Sequence, residues 1–303
     1  MYQDPFQQYI EQSEPDKKRK SIVWKTAMGL QAVDGLKTSD YLVENAVKNI
    51  EGEISIQDAQ DLMKSYYEEK PDRGQARTRE ADSVSVKITK LIYENSFSLS
   101  PGEVISIHKE LFEDVFDFAG ELRQVNLTKK EWVLDRDTVY YADARDLMAT
   151  LNYDLSIERN FEYAGLSMDE CIEHLADFIA KLWQIHPFRE GNTRTVAVFL
   201  IRYLRTLGFE VENTIFAENA WYFRNALVRS NYTNIPKKIN RTNVYLVKFL
   251  RNLLLNEENV LSNRELHIDF GEGETDSVRE VFDREFEFYK DIKEYYINQF
   301  KMF

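Results

Sequence analysis

The sequence predicts an all-α fold, a bundle of helices that contains one short β-hairpin and follows a small N-terminal helical module. Apolar residues recur at helical spacing along most of the 303-residue chain. Helix-start signals recur as well, because Ser100 and Ser167 are each followed three residues later by glutamate. A single stretch carries β-forming residues around a polar tip. We therefore expect helices everywhere except at that stretch.

The first predicted unit is a helical module over residues 1–75. It contains three short amphipathic stretches, at residues 17–33, 39–50 and 55–68. A polar linker, EKPDRGQARTR at residues 69–79, separates these stretches from the rest of the chain.

The second predicted unit, residues 76–255, holds the central helices. A helix behind Ser167 places its apolar residues on one face and ends at Ile185. The stretch TRTVAVFLIRYLRTLG, residues 193–208, is apolar nearly all round, so we expect it at the centre of the domain. Further helices are predicted to begin at Ser100 and to cover about residues 216–230 and 241–255.

Residues 121–127 and 131–134 predict the two strands of the hairpin, with Lys129 and Lys130 at its polar tip. The third unit, residues 256–303, is predicted to be a C-terminal helical extension.

Composition narrows the classes of function. The chain has a net charge of −13 and no basic stripe with interleaved aromatic residues, so we expect no nucleic-acid partner. It shows neither an apolar run long enough to span a bilayer nor a signal-peptide pattern, so no membrane association is expected. The single Cys171 excludes a disulfide framework. These features predict a cytoplasmic globular protein.

The loop HPFREGNTRT, residues 186–195, combines several groups that suit a nucleotide. Free backbone N–H groups are expected where the next helix begins, at Gly191, Asn192 and Thr193, with Asn192 as its cap. Arg194 lies in the first turn and can hold a phosphate with a bidentate fork. Glu190 offers a hard oxygen ligand to Mg²⁺, and His186 is a candidate base for a hydroxyl group.

On these residues the sequence resembles the Fic-domain family, over about residues 85–250. The motif HxFx[D/E]GNxR is matched by His186, Phe188, Glu190, Gly191, Asn192 and Arg194. The resemblance implies a protein adenylyltransferase, which moves AMP from ATP to a Tyr, Thr or Ser hydroxyl of a target protein and releases pyrophosphate. It implies Mg²⁺ as cofactor, with self-modification as a further outcome of the same chemistry.

The resemblance also implies a role for each motif residue. His186 would be the general base, Glu190 the Mg²⁺ ligand and Arg194 a phosphate ligand. An anion hole would consist of Gly191, Asn192 and Thr193. Phe188 would be a core residue that fixes the loop.

Two further segments gain roles from the resemblance. The hairpin would be the flap that pairs with the backbone of the target, formed by Asn126, Leu127, Thr128, Lys129, Lys130, Glu131, Trp132, Val133 and Leu134. In the helix at about residues 217–234, Phe223, Leu227 and Asn231 share one face and are candidates to line the adenine pocket. The alternative for these three is two core residues and a helix cap.

Two positions depart from the family pattern. Thr193 stands where most members have glycine, and Ala197 stands where most carry a second arginine. In the family that arginine contacts the γ-phosphate and pairs with an inhibitory glutamate. Its absence implies a weaker hold on the terminal phosphate of ATP.

Residues 24–68 resemble the small antitoxins that accompany some Fic toxins. Their inhibitory motif, [S/T]xxxE[G/N], would fall in degenerate form on Leu30, Asp34 and Gly35. A competing alignment places it on Val47 and Glu51-Gly52. Since the carboxylate is one methylene shorter and the partner arginine is absent, our hypothesis is that the module remains as a scaffold without strong autoinhibition. The alternative is a helical cap with no regulatory history.

Two other functions stay open. The first is a Fic enzyme that transfers UMP, phosphocholine or phosphate, although phosphate-transferring relatives have alanine and lysine in place of Gly191 and Thr193. The second is a nucleotide-binding regulatory protein with little transferase activity. Ala197 and Thr193 favour this second function, and the presence of both the histidine and the glutamate of the motif counts against it.

Overall fold

Helix α9, Asn192–Thr206, lies at the centre of the fold. Every residue of α9 from Asn192 to Leu204 is buried. Three helices pack against it, α5 (Ala76–Tyr93), α6 (Pro101–Phe112) and α8 (Met168–Ile185). Apolar residues on every side of α9 thus pack against a neighbouring helix, and the predicted central position of the stretch is confirmed.

The computed structural model describes residues 4–12, 14–69, 76–211 and 214–269. The helices before α5 are α1 (Gln7–Gln12), α2 (Pro15–Gly29), α3 (Asp40–Glu51) and α4 (Ile56–Glu69). The others are α7 (Leu147–Arg159), α10 (Ile215–Ser230), α11 (Val244–Leu255) and α12 (Asn263–Leu266). Most of the predicted C-terminal extension, from residue 270 onward, lies outside the described residues.

Capping explains where two of these helices begin. The Ser167 hydroxyl accepts a hydrogen bond from the Glu170 N–H and the Glu170 carboxylate accepts one from the Ser167 N–H, so the predicted capping box of α8 is confirmed. The Ser100 hydroxyl accepts from the Glu103 N–H at the start of α6, whereas the Glu103 carboxylate pairs with Arg202 at 2.9 Å.

The predicted β-hairpin is wrong. Among the described residues there is no strand, and residues 121–130 are irregular, with a bend at residues 124–125. The apolar residues that suggested the second strand form a buried 3-10 turn at Trp132–Leu134. Its backbone bonds elsewhere, because Glu131 N–H donates to the Asp137 carbonyl and the Val133 carbonyl accepts from Ile268 N–H. Burial of this turn therefore overrides the strand pattern.

The predicted boundary near residue 75 does not divide the hydrophobic core. The main core cluster contains residues from both sides of it, including Val23, Ala27, Leu30 and Val33 of the N-terminal module. A second, smaller cluster surrounds the fully buried Trp24 and takes in Val86 of α5. The module is thus packed into the domain as well as onto itself.

Two contacts show how closely the module is seated. A Cβ atom on Gly29, at the end of α2, would lie 2.4 Å from the Cα atom of Ala217 in α10, so the two backbones touch. On the opposite side, the buried Asp82 carboxylate of α5 accepts hydrogen bonds from Ser39 N–H at 2.8 Å and from the Tyr67 hydroxyl at 2.6 Å. Both residues belong to the module.

No described helix combines the length and the apolar character needed to cross a membrane.

Candidate active site

His186 is placed by the end of α8. The helix stops at Ile185, and His186 adopts a left-handed conformation with φ 50° and ψ 58°, its N–H donating to the Trp183 carbonyl. A left-handed residue that is not glycine is uncommon and must be held by its surroundings. The turn directs the imidazole into the cleft that α8, α9 and α10 enclose.

The His186 ring is buried yet has no polar partner. It is 3% exposed and stacks on the Tyr141 ring at a centroid distance of 4.1 Å. Neither ring nitrogen has a hydrogen-bond partner among residues 4–12, 14–69, 76–211 and 214–269. Burial, followed by the positive charges of Lys129 and Arg123, holds the pKa of this imidazole well below its ordinary range. The ring is therefore neutral at neutral pH, with an unprotonated ring nitrogen.

Arg123 ties the loop to the segment of residues 121–130 in which it lies. Its Nε donates to the His186 carbonyl at 2.8 Å, and its backbone N–H donates to the Pro187 carbonyl at 2.9 Å. The other guanidinium nitrogens donate to the carbonyls of Val125 and Ala142. Sequence reasoning missed this buried arginine, because nothing in its neighbours along the chain distinguishes it from a surface arginine.

A second clasp holds the middle of the loop. Gly120 N–H donates to His108 Nδ1 at 2.8 Å, so Nε2 carries the proton and donates to the Glu190 carbonyl at 3.0 Å. The His108 ring stacks on the Phe188 ring at a centroid distance of 3.7 Å. Burial lowers the pKa of His108 to about 4, which keeps this ring neutral. His108 and Phe188 thus hold the loop in place, and Phe188 is the core residue that the resemblance implied.

The start of α9 needs a glycine. A Cβ on Gly191 would lie 2.4 Å from the Phe112 ring, and its φ of 77° favours glycine as well. Gly191, rather than the predicted Asn192, is the residue that caps α9. The Asn192 amide instead closes the loop, because it donates to the Phe188 carbonyl at 2.8 Å and accepts from Phe188 N–H at 3.0 Å.

Thr193 has a structural task as well. Its hydroxyl accepts a hydrogen bond from the Trp183 indole at 3.0 Å. The first N–H groups of α9 have no carbonyl of their own helix to bond, so the backbone at Gly191, Asn192 and Thr193 can still receive an anion.

Arg194 is buried beside acidic and polar residues of the protein itself. It is 1% exposed, and its Nη1 donates to Gln31 Oε1 at 3.0 Å. Its Nε lies 2.8 Å from Asp34 Oδ2, and its Nη2 lies 2.8 Å from Glu80 Oε1. Sequence reasoning identified Asp34 but missed Gln31 and Glu80, which no motif marks.

The expectation that Asp34 lacks an arginine partner is wrong. Asp34 reaches the first arginine of the motif instead of the absent second one, and position 197 is a buried alanine. Leu30 is buried, and Gly35 ends the 3-10 turn Leu30–Asp34 with φ 61°. In the competing alignment, Glu51 pairs with Lys17 on the module surface. Asp34, the acidic residue of the first alignment, therefore contacts the motif, whereas Glu51, the acidic residue of the competing alignment, pairs with Lys17 instead.

Glu190 and Lys129 face each other at the mouth of the cleft. Lys129 Nζ lies 3.5 Å from Glu190 Oε2, and the Glu190 side chain is 40% exposed. Within the part of the chain that the structure describes, no group of three or more His, Cys, Asp or Glu side chains is arranged to hold a metal ion. Any ion here would depend on Glu190 and on ligand oxygens.

The remaining predicted residues are spread over different environments. Phe223 and Leu227 are buried in the core and Asn231 donates to the Ala180 carbonyl, so α10 contributes Trp221 and Arg224 to the cleft instead.

In the flap segment, residues 126–134, only Lys129 lines the cleft. Asn126, Thr128 and Lys130 are exposed, Leu127 is half-buried, and Glu131, Trp132, Val133 and Leu134 are buried.

Part of the chain matches a known protein family. Residues 98–204 match the Fic/DOC family, so the chain contains a Fic/DOC domain over this range. It is 29% identical over 106 residues to protein adenylyltransferase VbhT of Bartonella schoenbuchensis, covering 35% of this chain and 21% of that protein. It is 30% identical over 125 residues to the probable protein adenylyltransferase y4lH of Sinorhizobium fredii, covering 41% of this chain and 62% of that protein.

A third relative is the probable protein adenylyltransferase Fic of Escherichia coli, 25% identical over 116 residues, with 38% of this chain and 55% of that protein aligned. The chain thus spans less than two thirds of each of these curated relatives. Among solved structures, the N-terminal Fic domain of Bep8 from Bartonella sp. 1-1C aligns with a TM-score of 0.45 and 18% identity, over 59% of this chain and 86% of that one.

Proposed function

We propose that the chain is a Mg²⁺-dependent protein adenylyltransferase that uses ATP. The observation that carries the proposal is the imidazole of His186, which is buried, neutral and without a polar partner among the described residues while it faces the cleft. A buried polar group without a partner costs free energy, and a ligand that bonds to it removes this cost. The matched Fic/DOC domain and the names of its relatives supply the reaction class.

The transfer reaction assigns each group a step. His186 accepts the proton of a Tyr, Thr or Ser hydroxyl on the target protein, and the hydroxyl oxygen bonds to the α-phosphorus of ATP. The bond from that phosphorus to the bridging oxygen breaks, and pyrophosphate leaves. The N–H groups at the start of α9 stabilise the charge on the phosphoryl oxygens.

Glu190 fits the role of Mg²⁺ ligand. Its carboxylate is partly exposed at the cleft, next to the N-terminus of α9. Mg²⁺ is commonly held by one or two carboxylates together with substrate phosphates, so a single glutamate suffices. The bound ion would neutralise phosphate charge during transfer.

Arg194 sets a condition on ATP binding. Its guanidinium contacts Asp34 and Glu80, and a phosphate can take that place only when at least one carboxylate moves away. We infer that the N-terminal module restrains the site through Asp34. This inference replaces the hypothesis that inhibition was lost.

The flap segment supplies a docking edge for the target. Residues 126–130 form no strand in the described structure and are mostly exposed, so an extended peptide can approach this segment. We propose that the target lies along Asn126 to Lys130, beside the opening above His186.

The test is incubation of the purified chain with Mg²⁺ and α-labelled ATP, alone and with a cell lysate. A parallel sample carries His186→Ala. Label on the chain or on a lysate protein that disappears in the variant supports AMP transfer. Parallel reactions with γ-labelled ATP, labelled UTP and labelled CDP-choline separate phosphate, UMP and phosphocholine transfer.

A second candidate is a nucleotide-binding regulatory protein with little transferase activity. The occupied Arg194 and the buried Ala197 favour it, because both weaken the hold on the phosphates. ATP binding in calorimetry without label transfer from any of the donors would support this candidate over the enzyme.

A further inference from the structure

Three basic side chains of the cleft, those of Arg194, Arg224 and Lys129, differ in how closely carboxylates approach them. Arg194 lies 2.8 Å from each of two carboxylates, those of Asp34 and Glu80. Arg224 lies 2.7 Å from the buried carboxylate of Glu131. The contact of Lys129 is longer, since its Nζ lies 3.5 Å from the carboxylate of Glu190.

The acidic partner of Lys129 is also the one with a competing ligand. Glu131 is fully buried and Glu80 is 5% exposed, whereas the Asp34 side chain is 34% and the Glu190 side chain 40% exposed, and only Glu190 is the proposed ligand of a metal ion. Because divalent cations bind carboxylates strongly, an ion on Glu190 would take the carboxylate from Lys129. The ammonium group would then need another anion.

The position of Lys129 limits which anion that is. Its side chain lines the same cleft as His186 and the N-terminus of α9, and it is 19% exposed. In the proposed reaction the α-phosphate lies between His186 and the start of α9. Glu190 would hold the ion beside the phosphate groups farther along the nucleotide, and Lys129 lies next to Glu190.

We propose that Lys129 binds the phosphate groups beyond the α-phosphate and exchanges its contact with Glu190 for them when the metal-bound nucleotide enters. This inference rests on the proposed function and adds a substrate-binding residue from the flap segment. A compact ammonium on a flexible stem suits such an exchange, because it can turn from a carboxylate to a phosphate without moving the backbone.

The neighbouring lysine provides a matched control. Lys130 carries the same charge, is exposed and does not line the cleft. Lys129→Met and Lys130→Met therefore change the net charge equally, and only the first removes an ammonium from the cleft.

The first experiment is calorimetric titration of the full chain with Mg²⁺-ATP and with AMP. We expect Lys129→Met to weaken ATP binding about tenfold, the usual effect of one charge-assisted hydrogen bond, and to leave AMP binding unchanged. Lys130→Met should change neither. Equal ATP affinity in Lys129→Met and wild type, or an equal loss for AMP, overturns the inference.

Each titration is repeated in an Asp34→Asn background, so that the resident carboxylate does not mask binding. Failure of the wild type and of this background to bind ATP counts against the proposed function itself. Normal ATP binding with an unaffected Lys129→Met counts against the role of Lys129 alone.

A second readout needs no nucleotide. Mn²⁺, a spectroscopic substitute for Mg²⁺, is titrated into the chain and followed by electron paramagnetic resonance. Lys129→Met should tighten Mn²⁺ binding several-fold because the competing ammonium is gone, Lys130→Met should not, and Glu190→Gln should abolish the difference. Identical affinities in the two lysine variants would contradict the exchange.

Discussion

Asp34 Oδ2 lies 2.8 Å from Arg194 Nε, which joins the N-terminal module to the first turn of the central helix. In the proposed reaction this guanidinium would hold a phosphate, so the Asp34 carboxylate and the phosphate would compete for it. One acidic side chain of the N-terminal module thereby contacts an arginine that lines the cleft.

Neutralising this carboxylate should favour ATP. Asp34→Asn keeps the shape of the side chain but removes its charge, so we expect ATP affinity to rise about tenfold, within the range of ordinary coupling between sites. Calorimetry measures this directly. Glu51→Gln is the matched control, because Glu51 lies on the module surface in a pair with Lys17. An equal rise in both variants would show that net charge, and not this contact, is responsible.

Removing the arginine should destabilise the fold. Arg194→Met leaves the buried Glu80 and the partly buried Asp34 without their shared cation, and breaking a buried ion pair in this way costs about 3 kcal/mol. Urea unfolding followed by circular dichroism gives the free energy of unfolding. Glu80→Gln combined with Arg194→Met should recover part of the loss, whereas a larger loss in the double variant would argue against the pairing.

Loss of the Arg123 clasp should slow transfer more than it weakens ATP binding. Arg123→Gln removes a donor to the His186 carbonyl and a positive charge near the ring. We expect the transfer rate to fall about a hundredfold, as for other misplaced catalytic groups, with the ATP dissociation constant unchanged. Arg123→Lys keeps the charge but not the fork and should be slow as well. A fast lysine variant would mean that charge alone matters.

The same substitution has a signature in the pH titration of His186. Because the positive charge of Arg123 helps to lower the pKa of the buried imidazole, Arg123→Gln should raise that pKa toward its ordinary range. Carbon NMR of labelled histidine follows the ring through an acid titration, and His186→Ala identifies its signal. An unchanged titration would leave Arg123 with a purely structural role.

His108 should make stability depend on pH. Its folded pKa is about 4 and its ordinary value is 6.5, so between these values the unfolded chain binds a proton that the folded chain does not. The contribution of the neutral His108 ring to the free energy of unfolding is fully present above pH 6.5. It decreases as the pH falls toward 4, by at most about 1.4 kcal/mol per pH unit. In His108→Gln the urea midpoint should fall less steeply from neutral to mildly acidic pH. A slope equal to that of wild type would contradict this account.

The sequence could predict the elements whose signals are local. The apolar stretch of α9 and the Ser167 capping box are carried by neighbouring residues, and both are confirmed. The hairpin failed because residues 131–134 are buried in a turn whose backbone bonds to Asp137 and Ile268, and distance along the chain hides such bonds.

The residues of the site likewise fall into those that the local motif marks and those that lie far away in the sequence. The motif marked His186 and Glu190, whose neighbours in sequence define the loop. Arg123 and Glu80 act from 63 and 114 residues away in the chain, so no spacing rule could find them. On α10 the structure agrees with the alternative interpretation, since Phe223 and Leu227 are core residues and Asn231 caps the helix, while Trp221 and Arg224 line the cleft.

Gly29 gives the N-terminal module a further property. Its φ of −66° is ordinary for a helix, so the glycine is required there by the contact with Ala217 and not by backbone conformation. One methyl group at this position would act as a wedge that lifts α2 from α10 without altering any charge. In related chains, the residue at this single position should therefore be an evolutionary marker: glycine in lineages that keep the module seated beside the cleft, and larger residues in those that have released it.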